Sequence, residues 1–413
     1  MLTDLVYVSE ADRVSSLSNP GMSLGDGARR HFASCKTTIG EDTGKPKQVK
    51  TYDLWLDHGG RKTVEVRTFR AGAGPICLDP NGKRALNSWR GFDYDESLIG
   101  ADISPFLDHV YYLFGDKADM FLDLLAHAIQ KPGELPHSGI VHISEVHGKG
   151  RSTLGNFLAN HVFRGYGVSG VDLSWLLAGE FNSIIAGRIL ITVDEIKTGS
   201  KYNNKEAMKS LINAGTRIVN GKNEKQYIEF NAGRWLIFSN HLDAVAIDET
   251  DRRFWVVEHT EACKSPEYYR QFAAWCEVYR NAGAVRVYLK HRDISGFNPG
   301  ERPPLDEAKL NAIAANKSED AYIVEDIIND WGSDVIGSRD VRQQAMFREH
   351  KFSSDKSMGY ALKEAKCQQA KPIKVDKKTE RIWAIRNHDR WAKAEPHELT
   401  AELLKGRQRQ QPS

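Results

Sequence analysis

Apolar residues recur at helical spacing through "ISPFLDHVYYLFGDKADMFLDLLAHAIQ", from Ile103 to Gln130, with an interruption at "FGDK". Positions three and four apart share a helix face, so the pattern predicts two helices with a break between them. The pattern then changes. "GIVHIS", "GRILITVDEI" and "RWLIFSN" are short, nearly continuous apolar runs separated by helical stretches, as the buried strands of an α/β sheet read. Ahead of residue 101, "KTYDLWLDH" and "KTVEVRTFR" alternate apolar and polar positions around "GG", which predicts a hairpin, and "PNG" marks a further turn. The stretch from Gly283 to Pro304 ends rich in Pro, Gly and charge, as a boundary does. Beyond Ser318, three helical patterns ("DAYIVEDIINDW", "SRDVRQQAMFREH", "DKSMGYALKEAKC") precede a predicted hairpin, "KPIKVDKKTERIWAIRN". That order predicts a winged helix. The expected organisation is a mixed α+β accessory region over 1–100, a helical lead-in and α/β core over 101–300, a winged-helix-like domain over 318–395, and a flexible basic tail over 396–413.

Composition narrows the class only slightly. At 413 residues the chain has room for two or three domains, and its 40% hydrophobic and 27% charged residues are those of an ordinary globular protein. The net charge of +2 excludes nothing as a total, although the basic excess gathers toward the C-terminus. Cys35, Cys77, Cys263, Cys276 and Cys367 are scattered without a Cys-x-x-Cys pair, so neither a disulfide framework nor a zinc site is expected. "MLTDLVYVSEADR" is not a secretory signal, and no apolar run reaches membrane-spanning length. A soluble protein of the reducing cytosol is the expectation.

Candidate chemistry begins at "ISEVHGKGRSTLGNFL", Ile143 to Leu158. A glycine-rich turn between a strand and a helix turns backbone N–H groups toward a phosphate at the helix N-terminus. Gly148 and Gly150 open such a turn, and Ser152 and Thr153 supply hydroxyls, Ser152 as the Mg²⁺ ligand. The sequence departs from the phosphate-loop pattern twice: Glu145 takes the place of the first Gly, and Arg151 that of the Lys. Lys149 is the other nearby cation. One segment later "ITVDE" delivers Asp194 and Glu195 at a strand end, where Asp194 would hold Mg²⁺ and Glu195 would polarise the attacking water. "IFSN" ends a further strand at Asn240, an amide placed to orient that water. "DRRF" presents Arg252 and Arg253 ahead of another strand, as candidates to reach a neighbouring subunit's γ-phosphate.

In this order the four motifs, "GKGRS", "ITVDE", "IFSN" and "DRRF", resemble those of the superfamily 3 helicases. The likeness is to the helicase domain of phage and mobile-element primase-helicases, which are P-loop, AAA+-like NTPases. It extends upstream to "TFRAGAGPICLDPNGKRALNSWRGF" and covers roughly Tyr52 to Glu258. The resemblance implies a hexameric ring that hydrolyses ATP with Mg²⁺ between subunits and moves on single-stranded or forked DNA. It implies a cytoplasmic setting in a bacterial host and a primase or polymerase of the same element as partner. It also implies a DNA-contacting hairpin between the acid pair and the Asn strand, which "TRIVNGKNEKQYIEFNAG" fits, with Lys222 and Lys225 at its basic turn. On the C-terminal wing, Lys377 and Lys378 are the matching phosphate-contact candidates. Arg151 keeps a second reading open, a DNA-binding module in which nucleotide only supports assembly. A third is an ATP-driven assembly factor that acts on protein.

Overall fold

The computed structural model describes residues 1–19, 21–40, 47–177, 179, 181–194, 205–222, 226–375 and 378–409. The candidates Glu195, Lys225 and Lys377 lie outside these residues. The chain divides into two units, Met1–Ile313 and Ala314–Ser413.

At the start of the first unit the strands are short. β1 (Leu5–Val8) pairs with antiparallel β2 (Arg13–Ser16) and with parallel β5 (Lys62–Val64). Between them come α1 (Ala28–His31), the two-stranded ribbon of β3 (Lys36–Ile39) and β4 (Lys47–Lys50), and α2 (Thr51–Asp57). The strand expected in "KTYDLWLDH" is thus largely helix. Tyr52, Leu54 and Leu56 alternate as in a strand, but Tyr52, Trp55 and Leu56 also share one helix face. The latter three pack with Leu5 and Val14, whereas Leu54 stays exposed. Burial of the larger aromatic face selects the helix.

A second small sheet, β6 (Val66–Thr68), β8 (Arg84–Asn87) and β7 (Ile76–Leu78), is pinned by one buried side chain. The Asn87 amide donates to the carbonyls of Arg70, Ala73 and Gly74 and accepts from the N–H groups of Arg70 and Trp89. A single amide therefore satisfies most of the loop over residues 70–74, whose polar groups would otherwise be stranded.

The core sheet is parallel, in the order β10 (Gly167–Val168), β11 (Leu190–Asp194), β14 (Arg234–Ser239), β9 (Gly139–Ile143), β15 (Phe254–Glu258). Its strands read as unbroken apolar runs because both faces are covered. Along β14, Leu236 and Phe238 enter one hydrophobic cluster with α3 (Ser104–Phe114), α4 (Ala118–Gln130), α5 (Arg151–Phe157), α8 (Pro266–Cys276) and α9 (Tyr279–His291). Trp235 and Ile237 enter the cluster on the other side, with α6 (Leu173–Leu177), α7 (Lys205–Asn213) and α10 (Glu307–Asn316). The break expected near "FGDK" falls at Gly115–Lys117, between α3 and α4. Arg234 is buried at the start of β14, where its guanidinium donates to the carbonyls of Lys131, Pro132, Ala232 and Glu134 and so holds the turn that leads into β9. Burial pushes its pKa down to about 9. β12 (Thr216–Val219) and β13 (Tyr227–Phe230) form the expected antiparallel hairpin.

In the second unit, α11 (Glu319–Asp330), β16 (Val335–Gly337), α12 (Ser338–Phe347), α13 (Asp355–Glu364) and β17 (Gln368–Gln369) follow in turn. Then come the hairpin β18 (Ile373–Val375) and β19 (Lys378–Glu380), β20 (Ile382–Ala384), α14 (His388–Lys393) and α15 (Pro396–Arg409). β20 pairs with both β16 and β17. The tail expected to be flexible over 396–413 is a helix as far as Arg409. Leu399, Leu403 and Gly406 lie on one buried face, and a Cβ at Gly406 would stand 2.6 Å from the Trp331 ring. Arg407 pairs with the buried Asp340 and Glu380. The polar composition of "KGRQRQQPS" hid this apolar stripe, which lies mainly upstream of it.

Candidate nucleotide site

In an open parallel sheet, ligands bind beyond the C-terminal strand ends, where the chain reverses its direction of winding. Here that point is the end of β9. The chain leaves β9 for the far edge at β10, returns through β11 to β14 on one side, and finally adds β15 on the other. Residues 144–150 emerge at this crevice and lead into α5. Gly148 and Gly150 adopt φ values of 81° and 79°, a region that side-chain-bearing residues avoid. A Cβ on Gly150 would also stand 2.7 Å from His109 Cε1. α5 itself approaches the sheet closely, since a Cβ on Gly155 would meet Phe238 at 2.9 Å. It runs directly into a π-helical turn, Leu158–Val162.

Parallel register aligns the candidate residues. Ile143 pairs with Ser239 and with Glu258, and Asp194 pairs with Phe238. The ends of β9, β11 and β14 therefore bring the glycine loop, Asp194 and Asn240 to one edge. Ser152 is exposed in the first turn of α5, with Thr153 half-buried beside it, and Asp194 is half-buried.

The two cations of the loop are both engaged. The Arg151 guanidinium, largely buried, donates to the Ser239 carbonyl and to the Asn240 side-chain oxygen, while the Asn240 amide lies 3.2 Å from His147 Nδ1. Lys149 is 2% exposed, and its ammonium donates to the carbonyls of His259 and Glu261. Desolvation pulls its pKa below the usual lysine value. In this geometry Lys149 ties the loop to the segment after β15, and Arg151 ties it to the end of β14.

Sequence reasoning missed the histidine that backs the loop. His109 Nε2 lies 3.3 Å from the Gly150 carbonyl oxygen, its Nδ1 lies 3.1 Å from the Tyr268 hydroxyl, and its ring stacks on Phe272. Burial pushes its pKa down to about 4, so it is neutral near pH 7. On β9, His142 Nε2 lies 2.9 Å from the Leu113 carbonyl oxygen, and its pKa is pushed down to about 3 by burial. A histidine on an apolar helix face carries no sequence signal beyond core packing, so the contact with Gly150 was not legible in advance.

Arg252 and Arg253 are not brought to this edge. They precede β15, and the Arg253 carbonyl accepts from the Gly139 N–H at the start of β9. They sit at the opposite end of the sheet, about 16 Å away along five residues of strand. Arg252 is exposed. Arg253 is half-buried beside Asp251, whose carboxylate accepts from the N–H groups of Arg253 and Phe254. Lys309 of α10 closes the turn by donating to the carbonyls of Asp251 and Phe254.

The β12–β13 hairpin is braced at its base. Glu229 is fully buried against Arg217 at 2.8 Å, and its carboxylate accepts from the Gly187 N–H. The Thr68 hydroxyl donates to the Ile228 carbonyl, and Phe230 N–H donates to the Phe69 carbonyl, so β6 of the N-terminal region supports it. Lys222 is exposed in its turn. In the second unit Lys378 is exposed at the start of β19, and Lys356, Tyr360 and Lys363 are exposed along α13. Among the described residues there is no cluster of three or more His, Cys, Asp or Glu placed to hold a metal. Asp194 and Ser152 each offer an oxygen donor of the kind a Mg²⁺ ion takes.

Comparison with known proteins bears on this same region. Residues 142–253 match a family of unknown function, DUF5906. Over 150 residues the chain is 24% identical to the DNA primase-polymerase of Nitratiruptor phage NrS-1, a match covering 36% of this chain and only 19% of the phage protein. The apo C-terminal region of NrS-1 superposes with a TM-score of 0.59 at 14% identity, over 92% of this chain and 95% of that one. A further apo form of that region gives 0.56 at 16% identity, over 84% and 93%. At such identities the likeness is one of fold: a mixed α/β architecture with a parallel sheet.

Proposed function

We propose that this chain is the motor part of a phage or mobile-element DNA replication protein, an ATP-dependent helicase of the superfamily 3 type. The observation that carries this reading is the crevice at the end of β9. The glycine loop, Ser152, Asp194 and Asn240 converge there from three strand ends and one helix. ATP would lie across the loop, with its phosphates on the N–H groups from Gly148 to Thr153. Ser152 and Asp194 would hold Mg²⁺, which would supply positive charge against the phosphates. Asn240 and Glu195 would orient and polarise the attacking water. Arg252, at the far edge of the sheet, suits a site on the next subunit of a ring. The likeness to a phage protein named as a DNA primase-polymerase supports the replication setting, with a cytoplasmic location in the host and a primase or polymerase as partner.

DNA would be gripped at the β12–β13 turn by Lys222 and Lys225. The element order α11, β16, α12, α13, β17, hairpin, β20 supports a winged helix in the second unit. Lys377 and Lys378 on its wing, with the Lys356–Tyr360–Lys363 stripe of α13, would meet phosphates.

ATP hydrolysis with and without single-stranded DNA tests the proposal. Wild type should turn over, and Glu195→Gln should lower kcat by at least about a hundredfold, the low end of what positioned acid–base groups contribute. Turnover unaffected by Glu195→Gln would sink it. A second reading draws on Arg151, whose guanidinium occupies the Ser239 carbonyl and the Asn240 amide. If wild type binds nucleotide without hydrolysis while Arg151→Lys hydrolyses it, the protein is an assembly module and Arg151 is what silences it.

A further inference from the structure

Among the described residues the β3–β4 ribbon stands almost wholly exposed. Of its residues only Val49 is even half-buried, and the rest are exposed. Its base is tied by the bond between the Thr51 N–H and the Cys35 carbonyl and by the Thr37–Thr51 hydroxyl pair at 2.7 Å. An unpacked two-stranded ribbon is marginal in water. Its sequence adds to the difficulty, because Lys36 stands directly opposite Lys50. Like charges directly opposed across a strand pair are destabilising.

Strand register sorts the side chains. Lys36 and Lys50 share a face with Thr38 and Gln48, so this face carries two ammonium groups, a hydroxyl and an amide. Lys47 lies on the other face, and α1, which precedes the ribbon, adds the exposed Arg30. None of Arg30, Lys36, Lys47 and Lys50 has an acidic partner among the described residues, in a chain whose net charge is only +2. A polyanion would offset the Lys36–Lys50 repulsion by attracting both ammonium groups.

We infer that the β3–β4 ribbon is a duplex-DNA contact, separate from the hairpin and wing surfaces proposed above, with Lys36 and Lys50 on phosphates and Thr38 and Gln48 toward the groove. A two-stranded ribbon fits the width of the major groove of B-form DNA. A duplex suits it better than a single strand. Single-strand binders stack bases on aromatic rings, and the described ribbon carries none. The flanking aromatics, Phe32 and Tyr52, are committed to stacking on each other. The inference does not depend on ATP hydrolysis.

The test uses the full chain without nucleotide, titrated with a blunt duplex and with a single strand of the same length over a range of salt. Each phosphate contact contributes about 0.9 to the slope of log K against log salt. Lys36→Ala with Lys50→Ala should reduce the duplex slope by about 1.8 and leave the single-strand slope unchanged. Lys36→Arg with Lys50→Arg should restore it. Lys131→Ala with Lys405→Ala, a charge-matched control at exposed ion pairs, should leave it alone. An unchanged duplex slope overturns the inference, as does an equal loss for both DNAs or an equal loss in the control. The alanine pair removes a repulsion, so its thermal midpoint should hold or rise. A lowered midpoint that the arginine pair shares would assign the lysines to folding and overturn the inference as well.

Discussion

Gly150 shows how much one position can carry. Its φ of 79° is left-handed, and its missing side chain leaves room for His109, whose ring reaches the Gly150 carbonyl. Alanine there meets two separate obstacles. The left-handed backbone costs about 1–2 kcal/mol for a residue with a Cβ. The methyl group would also push against an imidazole that is stacked on Phe272 and has little freedom to retreat. Gly150→Ala should therefore lower stability by roughly 2–3 kcal/mol and weaken the nucleotide binding proposed for this loop, because the loop N–H groups lose their convergence. Thermal unfolding and titration with a fluorescent ATP analogue measure the two effects, and a variant unchanged in both would show that the loop is not held as described. Gly148 and Gly150 were legible in the sequence because paired glycines between an apolar strand and a helix mark a turn that opens its N–H groups to an anion. His109 and the carbonyl contacts of Lys149 were not. They depend on α3 and the segment after β15 folding over the loop from 41 and 110 residues away.

Elements follow the same division. The strands β9, β11 and β14, the helices α3 and α4, and the β12–β13 hairpin were legible because each carries one unambiguous period or a turn between two strand-like runs. α2 and α15 were not, since "TYDLWLD" satisfies two periods at once and the stripe of α15 is only three residues long. What fixes α15 is tertiary. Its Arg407 meets Asp340 of α12 at 2.8 Å and Glu380 of β19 at 2.9 Å, two acids that are almost wholly buried. Arg407→Ala would leave both carboxylates buried without their cation, and breaking a buried pair in this way costs about 3–5 kcal/mol. The pH dependence has a definite sign. Burial already raises the pKa of Asp340 above its ordinary value, and loss of Arg407 raises it further. A carboxyl whose folded pKa is raised contributes stability at low pH that is lost as pH rises through that pKa. The deficit of Arg407→Ala should thus be largest near pH 7 and shrink toward pH 4. Chemical denaturation at the two pH values reads this directly, and an equal deficit at both would mean that Arg407 acts through packing alone.

At the scale of the whole molecule, the separation of Arg252 from the glycine loop sets a condition on the proposed motor. β15 runs from one edge of the sheet to the other, so an arginine before it cannot serve a phosphate held after β9 in the same chain. Either Arg252 has no part in hydrolysis or it completes the site of another copy. Of the adjacent pair it is the one free to do so, since Arg253 is half-buried in the turn that Asp251 and Lys309 hold. In a head-to-tail ring each interface takes its loop from one subunit and its arginine from the next. Arg252→Ala and Glu195→Gln should each be inactive alone under this arrangement, because every interface then lacks one part. Mixed in equal amounts, they should regain about a quarter of wild-type turnover, from interfaces that draw an intact Glu195 from one variant and an intact Arg252 from the other. Activity in the mixture equal to the sum of the separate variants would place Arg252 outside the reaction. Turnover by Arg252→Ala alone, at the wild-type rate and independent of protein concentration, would remove the ring from the mechanism altogether. The dilution series belongs in the same experiment, because a site completed in trans must lose activity as the subunits separate.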